Sequence, residues 1–552
     1  MQNRILPIGM CLAVGLFGCS RQAPDPAGEP TASSPDVDTR PNILFVVVDD
    51  LGYTDMGSYG GEIPTPNLDR LAFDGVRFTN LHAAANCQAT RIMFMASTSI
   101  ANGEEELPES MPRPDGVRSS VLSRDWASMA ALLGEAGYST YMAGKWDLGP
   151  VEGYLPPGRG FDRSFALMGA SGSHFADYFR GAPFAADGEL IEAEDLPADF
   201  YSTEYFTDRI LEYLDAHEAG RPWFAYLPFS AVHWPLQLPD DWLDRHAGRY
   251  DMGYDELRLA RVARAEELGV VPEGASLDAY QPGAEPWADL SPEEQRKYAR
   301  AQEIYAGMLE YVDMSVGRLV DYLEETGQLD NTVIMVMSDH GGSSSEAGVY
   351  PGRPPAAPDR RVTDAFDNRF ENFGRVGSFI DHGRGFAEAA TAPLKEFKAS
   401  LSEGGLRAAS LIYYPTAIPA GGISGEFLTV MDILPTFLEA AGTGHPGAGE
   451  FQGRHINDIL GRSFWSHVTG QAASVHPPDY AVGWIRQDAG ALIRGDYKVV
   501  NDVPGGGQSG GMGATPWRLY DIASDPGETT DLAAEMPELT AELVAEWATN
   551  WR

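Results

Sequence analysis

The sequence predicts an α/β protein built on a large, mostly parallel sheet flanked by helices, with a smaller C-terminal α+β domain. Apolar, β-rich runs alternate along the chain with amphipathic segments, which is the pattern of a parallel sheet covered by helices on both faces. Several of these runs end directly in charged residues, where open α/β sheets place their ligands. The first run, Asn42–Val48, is apolar enough for a strand buried on both faces.

Helices and further strands follow this run in order. The segment after Thr65-Pro66 has one apolar face and stops at Gly75, which indicates a helix. A strand or extended segment at 76–81 leads to Cys87. The other predicted elements are helices at 91–96, 126–135, 298–325, 430–441 and 537–551, and strands at 138–143, 223–229, 333–337 and 409–414.

Two long segments interrupt this alternation. Residues 238–292 are highly charged, which indicates a surface excursion, and residues 343–391 are rich in Gly, Pro and Arg, which indicates a long loop or lid. Glycine-rich sequence begins at 442. We therefore predict a catalytic domain at 41–441 and a smaller domain at 442–552, with no internal repeat.

The charge balance of the chain is strongly acidic. Its 552 residues include 80 Asp and Glu against 40 Lys and Arg, a net charge of −40. Such a surface repels phosphate backbones, so we do not expect nucleic acid as a partner. An anionic substrate would need local positive charge or a metal ion in its pocket.

The N-terminus has the features of an export signal. Arg4 precedes an apolar run, 5–17, that is too short to span a membrane. The run ends in Leu16-Phe17-Gly18-Cys19, which resembles the lipobox of bacterial lipoproteins. We therefore expect a signal peptide at 1–19, lipidation of Cys19, a flexible linker at 20–40, and a periplasmic or outer-membrane-anchored protein. Without lipidation, the segment is an ordinary cleaved signal.

Cysteine usage isolates one thiol. The chain has three cysteines, of which Cys11 leaves with the signal and Cys19 is lipidated or removed. Cys87 then has no partner in an oxidising compartment. Such a residue is either a small buried hydrophobic side chain or a reactive group, and its polar neighbours decide between the two.

Polar side chains recur where predicted strands end. Singly, each has an ordinary explanation as a turn former or a structural histidine. Together they would meet in one crevice at the carboxyl edge of the sheet, where carboxylates from two strands and an imidazole can bind a hard divalent cation. These residues are Asp49, Asp50, Lys145, Asp147, His233, Asp339 and His340.

Short motifs in a fixed order carry a family resemblance. They are Pro41-Asn42-Ile43, Asp49-Asp50-Leu51-Gly52, 64–71, Cys87-Gln88-Ala89-Thr90-Arg91, Gly144-Lys145-Trp146-Asp147-Leu148-Gly149, 224–236, 337–341, 494–498, 519–521 and 525–528. With them the chain resembles the formylglycine-dependent sulfatases of the alkaline-phosphatase superfamily, most of all the bacterial arylsulfatases, from about Pro41 to its end. The resemblance implies an alkaline-phosphatase-like fold and hydrolysis of aryl or alkyl sulfate esters.

The resemblance also implies a role for Cys87. A maturation enzyme would oxidise it to formylglycine during export. One hydroxyl of the hydrated aldehyde would attack sulfur and displace the alcohol or phenol. Loss of the second hydroxyl's proton would re-form the aldehyde and expel sulfate.

Other site residues take their expected roles from the same resemblance. Residue 87 and the set Asp49, Asp50, Asp339 and His340 would hold one divalent cation, usually calcium. Arg91 would orient the formylglycine, and His233 would assist the leaving group. Lys145 and Lys398 would clamp sulfate oxygens. We match Lys398 rather than Lys395 from its spacing to Glu403-Gly404-Gly405.

Three positions depart from the family pattern. Ala89 stands where proline is usual, so conversion of Cys87 depends on the host's maturation system. Asp147 stands where histidine is usual, and we expect it to act as a base or as an additional carboxylate beside the metal. His340 replaces the commoner asparagine. An Asp-His pair also occurs in related phosphonate and phosphodiester hydrolases, so these substrates stay open beside sulfate esters.

Alternatives follow from these departures. One is a phosphonate monoester or phosphodiester hydrolase on the same fold, and another is a lipid-anchored binding protein that has lost turnover. The chain has neither a Gly-x-Ser-x-Gly elbow nor a His-Glu-x-x-His zinc motif. The natural ester stays open between aryl, alkyl and carbohydrate sulfates. Tyr178 and Phe179 would line an apolar leaving-group pocket or belong to the core.

Overall fold

The structure is a computed structural model that describes residues 38–108, 111, 120–177, 183–274, 283–344, 366–503 and 514–552. The predicted signal peptide, lipidation at Cys19 and most of the 20–40 linker lie outside these ranges, as do Tyr178 and Phe179. None of the helices within these ranges combines the length and apolar character that a membrane span needs.

A ten-stranded mixed sheet forms the centre of the fold. Five adjacent strands, at 332–338, 42–48, 223–228, 139–145 and 163–167, run parallel, and antiparallel strands flank them on both sides. This confirms the predicted mostly parallel sheet. In spatial order the strands are β13 (Gly422–Ser424), β2 (Val76–Phe78), β12 (Ser410–Tyr413), β11 (Thr332–Ser338), β1 (Asn42–Val48), β10 (Trp223–Pro228), β6 (Ser139–Lys145), β7 (Arg163–Leu167), β8 (Phe184–Ala186) and β9 (Glu189–Ile191).

Helices cover both faces of this sheet, and the last helix of the chain packs on a smaller sheet described below. In chain order they are α1 (Pro66–Asp74), α2 (Cys87–Ala96), α3 (Ile100–Gly103), α4 (Met129–Glu135), α5 (Ser202–Asp215), α6 (Tyr254–Glu267), α7 (Pro292–Glu325), α8 (Gly383–Thr391), α9 (Glu403–Leu406), α10 (Ile433–Ala440), α11 (Trp465–Val468) and α12 (Pro537–Asn550). Successive side chains of β1 point to opposite faces, so each face contributes to a different core. Leu44, Val46 and Val48 pack with α1, α5 and α7. Ile43, Phe45 and Val47 pack with α2, α4 and α10.

A four-stranded antiparallel sheet forms the small C-terminal unit that the sequence predicts. Its strands are β17 (Ala481–Arg486), β18 (Ala489–Arg494), β19 (Tyr497–Asp502) and β20 (Ala514–Asp521). Helix α12 packs on it, and Trp547 Nε1 donates to Trp484 O over 2.9 Å. The domain boundary at 441/442 stays a prediction. Three strand pairs complete the fold: β3 (Leu81–His82) with β14 (Leu428–Thr429), β4 (Glu104–Glu106) with β5 (Ser120–Leu122), and β15 (Gly449–Phe451) with β16 (Arg454–Ile456).

Two elements differ from the prediction in ways that matter for the site. Helix α2 begins at Cys87 rather than near residue 91, because the Asn86 side chain caps it by accepting from Ala89 N over 3.0 Å. The segment 238–292 is not only a surface excursion. Its helix α6 carries Arg261 into the interior, where the side chain is 1% exposed. Helix α8 forms the buried end of the predicted 343–391 loop, of which 345–365 lie outside the described residues.

Candidate active site

The turn after β1 places two acids at the carboxyl edge of the sheet. Asp49 and Asp50 are both buried, and Asp50 has a φ of +64°, in the left-handed region. Hydrogen bonds to other segments of the same chain hold this unfavourable backbone conformation. Val232 N donates to Asp49 O over 2.8 Å, and Asp50 N donates to Asp339 Oδ1 over 3.3 Å. The ends of β1 and β11 are thereby joined.

Cys87 lies in a charged environment at the first turn of α2. Its Sγ is 3.3 Å from Asp49 Oδ1 and 3.1 Å from His340 Nε2, and the residue is 2% exposed. Burial and Asp49 oppose ionisation of the thiol, but Lys145 and Lys398 outweigh them and lower its pKa. An inert structural thiol occupies apolar surroundings instead.

Cys87 and four residues around it have the composition of a metal site. One ligand atom from each of them lies within 4.8 Å of all the others; they are Asp49, Asp50, Cys87, Asp339 and His340. The Asp50 Oδ2 atom is buried and has no hydrogen-bond partner. His340 Nδ1 donates to Gly341 O over 2.9 Å, which directs Nε2 at the acids. Burial disfavours the imidazolium, but Asp339 outweighs it and raises the pKa of His340 to about 9, so a cation bound at Nε2 would replace a proton. Carboxylate oxygens with one imidazole fit a divalent cation.

Three buried cations stand beside these acids. Lys145 Nζ contacts Asp49 Oδ2, and Lys398 Nζ lies 2.6 Å from Asp50 Oδ1. Arg91 Nη2 lies 3.1 Å from Asp339 Oδ2 and 3.4 Å from Asp49 Oδ2. Burial disfavours the lysine ammonium groups, but Asp49 and Asp50 outweigh it and raise the pKa of both. The local positive charge that an anionic substrate would need is therefore present.

The two lysine candidates occupy different places. Lys398 is within reach of the site, whereas Lys395 Nζ donates to Glu528 O over 3.2 Å and lies over the Tyr520 ring. The structure thus brings Lys398, and not Lys395, to the acids.

The acids of the turn differ in their electrostatics. Burial raises the pKa of both carboxyls, but for Asp49 the nearby Lys145 reverses this and holds the pKa well below its usual range. For Asp50 burial prevails over His233 and Lys398, so its pKa is raised. Asp50 is therefore the acid whose charge is less compensated, and a bound cation would supply the missing positive charge.

His233 lies on the other side of Asp50. Its Nδ1 donates to Trp234 O over 2.6 Å, and its Nε2 is 3.6 Å from Asp50 Oδ2. Burial lowers its pKa to about 4, so the imidazole is neutral at neutral pH. The half-buried Trp234 ring lies 4.4 Å from the His233 ring, centroid to centroid.

Asp147 is less closely joined to the site than the sequence suggests. It is buried with a φ of +53°, and its Oδ2 has no hydrogen-bond partner. It lies near enough to Lys145 to favour that lysine's charged form. Within the described ranges, no hydrogen bond or ion pair joins its carboxylate to Cys87, and it lies outside the five-residue metal-type cluster.

Several supporting residues have no signal in the sequence. His174 Nε2 donates to His233 O over 3.1 Å, and Tyr226 accepts from Arg91 Nη1 over 3.4 Å. Tyr305, on α7, reaches the turn at Asp50. Tyr226 lies within the 224–236 motif, but nothing there marks it as a partner of Arg91, and His174 and Tyr305 belong to neither a motif nor a charged strand end. Only contacts in space reveal these three roles.

Comparisons with known proteins show which family this chain resembles. The sulfatase family model matches residues 41–443. The chain is 39% identical over 533 residues to an uncharacterised sulfatase of Schizosaccharomyces pombe, covering 92% of this chain and 93% of that protein. It is 34% identical over 414 residues to an arylsulfatase of Klebsiella aerogenes, covering 73% of this chain and 87% of that protein.

Solved structures share the fold at lower identity. The structure of Ps i-CgsB in complex with k-i-k-neocarrahexaose matches with a TM-score of 0.64 and 22% identity, over 92% of each chain. The phosphonate monoester hydrolase of Agrobacterium radiobacter matches with a TM-score of 0.54 and 17% identity, over 92% of this chain and 95% of that one.

Proposed function

This chain belongs to the sulfatase family and is a sulfuric ester hydrolase, and we propose that it cleaves aryl or alkyl sulfate esters with a formylglycine derived from Cys87 and one calcium ion. One observation carries the proposal. Cys87 Sγ lies among metal-type ligands and beside buried cations at one edge of the sheet. This arrangement suits a charged nucleophile and an anionic substrate.

The residues divide the work by their chemistry. When bound, the cation supplies a Lewis acid and formylglycine supplies the nucleophilic hydroxyl. Asp49, Asp50, Asp339 and His340 would hold the cation through the atoms that converge in the cluster. Lys145 and Lys398 balance the charge of sulfate oxygens. Arg91 fixes the relative positions of the Asp49 and Asp339 carboxylates, because its guanidinium contacts both.

The state of His233 bears on the leaving group. The bond from Nδ1 to Trp234 O leaves Nε2 as the atom that exchanges a proton with the ester oxygen. A pKa of about 4 makes it a scarce proton donor at neutral pH. A phenolate leaves with little proton donation, whereas an alkoxide needs more. This favours aryl over alkyl esters.

Trp234 supports the same preference. Its ring packs edge-on against Phe379, with centroids 5.1 Å apart, and it is partly exposed beside His233. An aromatic wall next to the leaving-group residue suits an aryl group. Trp234→Ala should raise KM for an aryl sulfate about tenfold and affect an alkyl sulfate much less. Trp242→Ala is the matched control, because Trp242 packs on Tyr311 instead. Equal effects on both esters would remove this support.

Mass spectrometry of the peptide that spans Cys87 tests the nucleophile. Because Ala89 makes conversion depend on the host, the protein should be produced together with a formylglycine-generating enzyme. We expect the mass loss of thiol-to-aldehyde conversion, together with hydrolysis of aryl sulfates. An intact thiol in an active preparation would refute the formylglycine mechanism, and an intact thiol without turnover would favour the binding-protein alternative.

A second candidate is a phosphonate monoester or phosphodiester hydrolase, favoured by an imidazole at His340 inside the ligand cluster. Turnover of an aryl sulfate, a phosphodiester, a phosphonate monoester and a carbohydrate sulfate by the same preparation separates the candidates. A larger kcat/KM for the phosphorus esters would replace the sulfate proposal. A larger value for the carbohydrate sulfate would replace the aryl assignment.

We also propose export with a lipid anchor at Cys19. The proposal rests on the apolar run and the Leu16-Phe17-Gly18-Cys19 sequence. Labelled fatty acid should appear in the wild type and be absent from Cys19→Ala, whereas the Cys11→Ala control keeps it. Label that persists in Cys19→Ala contradicts lipidation at this residue.

A further inference from the structure

Beneath the turn at Asp50 lies a buried polar contact that the proposed reaction does not use. The Tyr305 hydroxyl, from α7, is 2.6 Å from Asp55 Oδ2 and 3.2 Å from Asp50 O. The same Asp55 oxygen accepts from Gly52 N over 2.7 Å. One carboxylate thus joins a buried hydroxyl to the backbone of the turn that carries Asp49 and Asp50.

Arg261 completes this support from the far side. Its Nη1 lies 2.6 Å from Asp55 Oδ1, while Nε and Nη2 lie 2.7 and 2.9 Å from the two oxygens of Glu62. A planar guanidinium held by two acids leaves Asp55 little freedom. The segment that supplies Arg261 is therefore tied to the ligand-bearing turn.

Through His382, Tyr305 is also linked to the segment that follows the second pair of ligands, Asp339 and His340. Its ring stacks on His382, with centroids 4.4 Å apart and planes at 29°. His382 Nε2 donates to Ser343 O over 2.8 Å, three residues after His340. One side chain of α7 therefore braces the turn after β1 and the loop after β11.

We propose that Tyr305, acting with Asp55 and Arg261, is a positioning residue for the cation site. The hydroxyl and Asp55 hold the left-handed backbone at Asp50, so that both carboxylates of the turn are already in place when a cation binds. Without the hydroxyl the strained turn relaxes, and cation binding must reorder it. The inference rests on the proposed cation site.

A pair of tyrosine variants tests this proposal. Arg261 contacts two acids, Asp55 and Glu62, and each of them accepts a hydrogen bond from a buried tyrosine. Tyr250 OH donates to Glu62 Oε1 over 2.8 Å, as Tyr305 OH does to Asp55, but within the described residues no hydrogen bond joins Tyr250 to the turn. Tyr305→Phe should weaken Ca²⁺ binding about tenfold, as is typical when a residue supporting a ligand is lost. Tyr250→Phe should leave the Ca²⁺ Kd within about twofold. Both variants should lower the melting temperature of the chelated protein by similar amounts.

The measurement is calorimetric titration of the chelated full chain with Ca²⁺, together with melting curves at several Ca²⁺ concentrations. Equal Kd values for the two variants overturn the inference and leave the proposed function intact. A wild type that binds neither Ca²⁺ nor Mg²⁺ nor Mn²⁺ overturns both. If Tyr305→Phe does not fold, Asp55→Asn takes its place. It keeps the shape of the side chain but has only one accepting oxygen, so it cannot accept from both Arg261 and Gly52 N. An unchanged Kd there also overturns the inference.

Discussion

Two buried clusters of charge differ in how completely their members are paired. The reactive cluster comprises Asp49, Asp50, Cys87, Arg91, Lys145, Asp339, His340 and Lys398, and the anchor cluster comprises His82, Glu403, Arg407, Lys498 and Glu528. In the anchor cluster, Glu403 Oε2 accepts from Arg407 Nε over 2.8 Å and lies 3.0 Å from His82 Nε2, and Oε1 accepts from Lys498 Nζ over 2.9 Å. Each cluster holds buried polar atoms without a hydrogen-bond partner: Asp50 Oδ2 and Arg91 Nε in the reactive cluster, and His82 Nδ1 and Glu528 Oε1 in the anchor cluster. Glu528 Oε1, however, forms an ion pair with Lys498 Nζ at 3.0 Å, whereas Asp50 Oδ2 lies 3.6 Å from the neutral imidazole of His233.

The difference separates a structural role from a chemical one. The anchor cluster links Lys498, on β19 of the small sheet, to Glu403 of α9 in the main body, and Glu403 N donates to Glu528 Oε2 over 3.0 Å. A buried network in which both carboxylates contact a lysine specifies an arrangement of chain segments. The reactive cluster holds similar residue types at similar burial but leaves Asp50 Oδ2 with neither a hydrogen bond nor a charged partner in contact, which is the property of a ligand site.

The largest expected effect is a loss of activity when a residue of the reactive cluster is replaced. Cys87→Ala should lower turnover of an aryl sulfate by at least about 10⁴-fold, because the nucleophile is absent. The melting temperature should change little, since only one sulfur atom is lost. Turnover within tenfold of the wild type would show that the reactive cluster does not act through residue 87.

The next largest effect is a loss of stability, without a loss of activity, when a residue of the anchor cluster is replaced. Lys498→Met leaves two buried carboxylates without their shared cation and should lower the free energy of unfolding by about 3–5 kcal/mol. The kcat of the folded protein at low temperature should stay close to the wild type. Denaturant unfolding measures the loss. Lys297→Met, which breaks a helical pair with the exposed Glu293, should lower the free energy of unfolding far less. A similar small loss for both variants would contradict the anchor role.

Acid should act through the histidines that support the reactive cluster. Burial lowers the pKa of His174, His233 and His382 to about 4. Between pH 6.5 and 4 the unfolded chain binds protons that the folded chain does not, so stability falls as the pH falls. Each histidine contributes on the order of 3 kcal/mol over this range.

Urea unfolding at several pH values checks this dependence. His174→Gln should flatten the dependence on pH, whatever its effect on stability at pH 7. His217→Gln, at a less buried histidine, serves as the control and should not flatten it. An identical pH slope in the wild type and in His174→Gln would contradict the prediction.

The smallest expected effect concerns Asp147, whose unpaired carboxylate lies beside the cluster without a bond to it. If Asp147 is the base that takes the second proton of the nucleophile, Asp147→Asn should lower kcat about tenfold. Asp147→His should shift the pH dependence of kcat, since an imidazole titrates in a different range. Superimposable pH profiles for the three proteins would exclude this role.

Much of the fold could be predicted from local patterns. The uninterrupted apolar run Asn42–Val48 predicts a strand covered on both faces, and its alternate side chains do pack into two different cores. The predicted helix at 298–325 is longer in the structure, beginning at Pro292, because Ser291 and Glu294 form a capping box. The role of Arg261 could not be predicted, because a charged amphipathic helix looks the same whether its arginine faces water or a buried acid.

The candidate site divides in the same way. Charged residues after separate parallel strands could be grouped in advance, because the carboxyl ends of such strands share one edge. The residues that support this group could not be predicted in advance. Tyr305 lies 250 residues from Asp55, and His174 lies 59 residues from His233, with no periodicity to connect them.

By itself, the sequence determined which residue types follow each strand and the order of the motifs, because apolar periodicity and strand ends are local properties of the chain. The tertiary structure alone decided which charges are paired, that Lys398 rather than Lys395 reaches Asp50, and which carboxylate oxygen stays unpartnered. The physical reason is that the energy of a buried charge depends on its solvent exposure and on partners brought from distant segments, and neither is encoded in neighbouring residues.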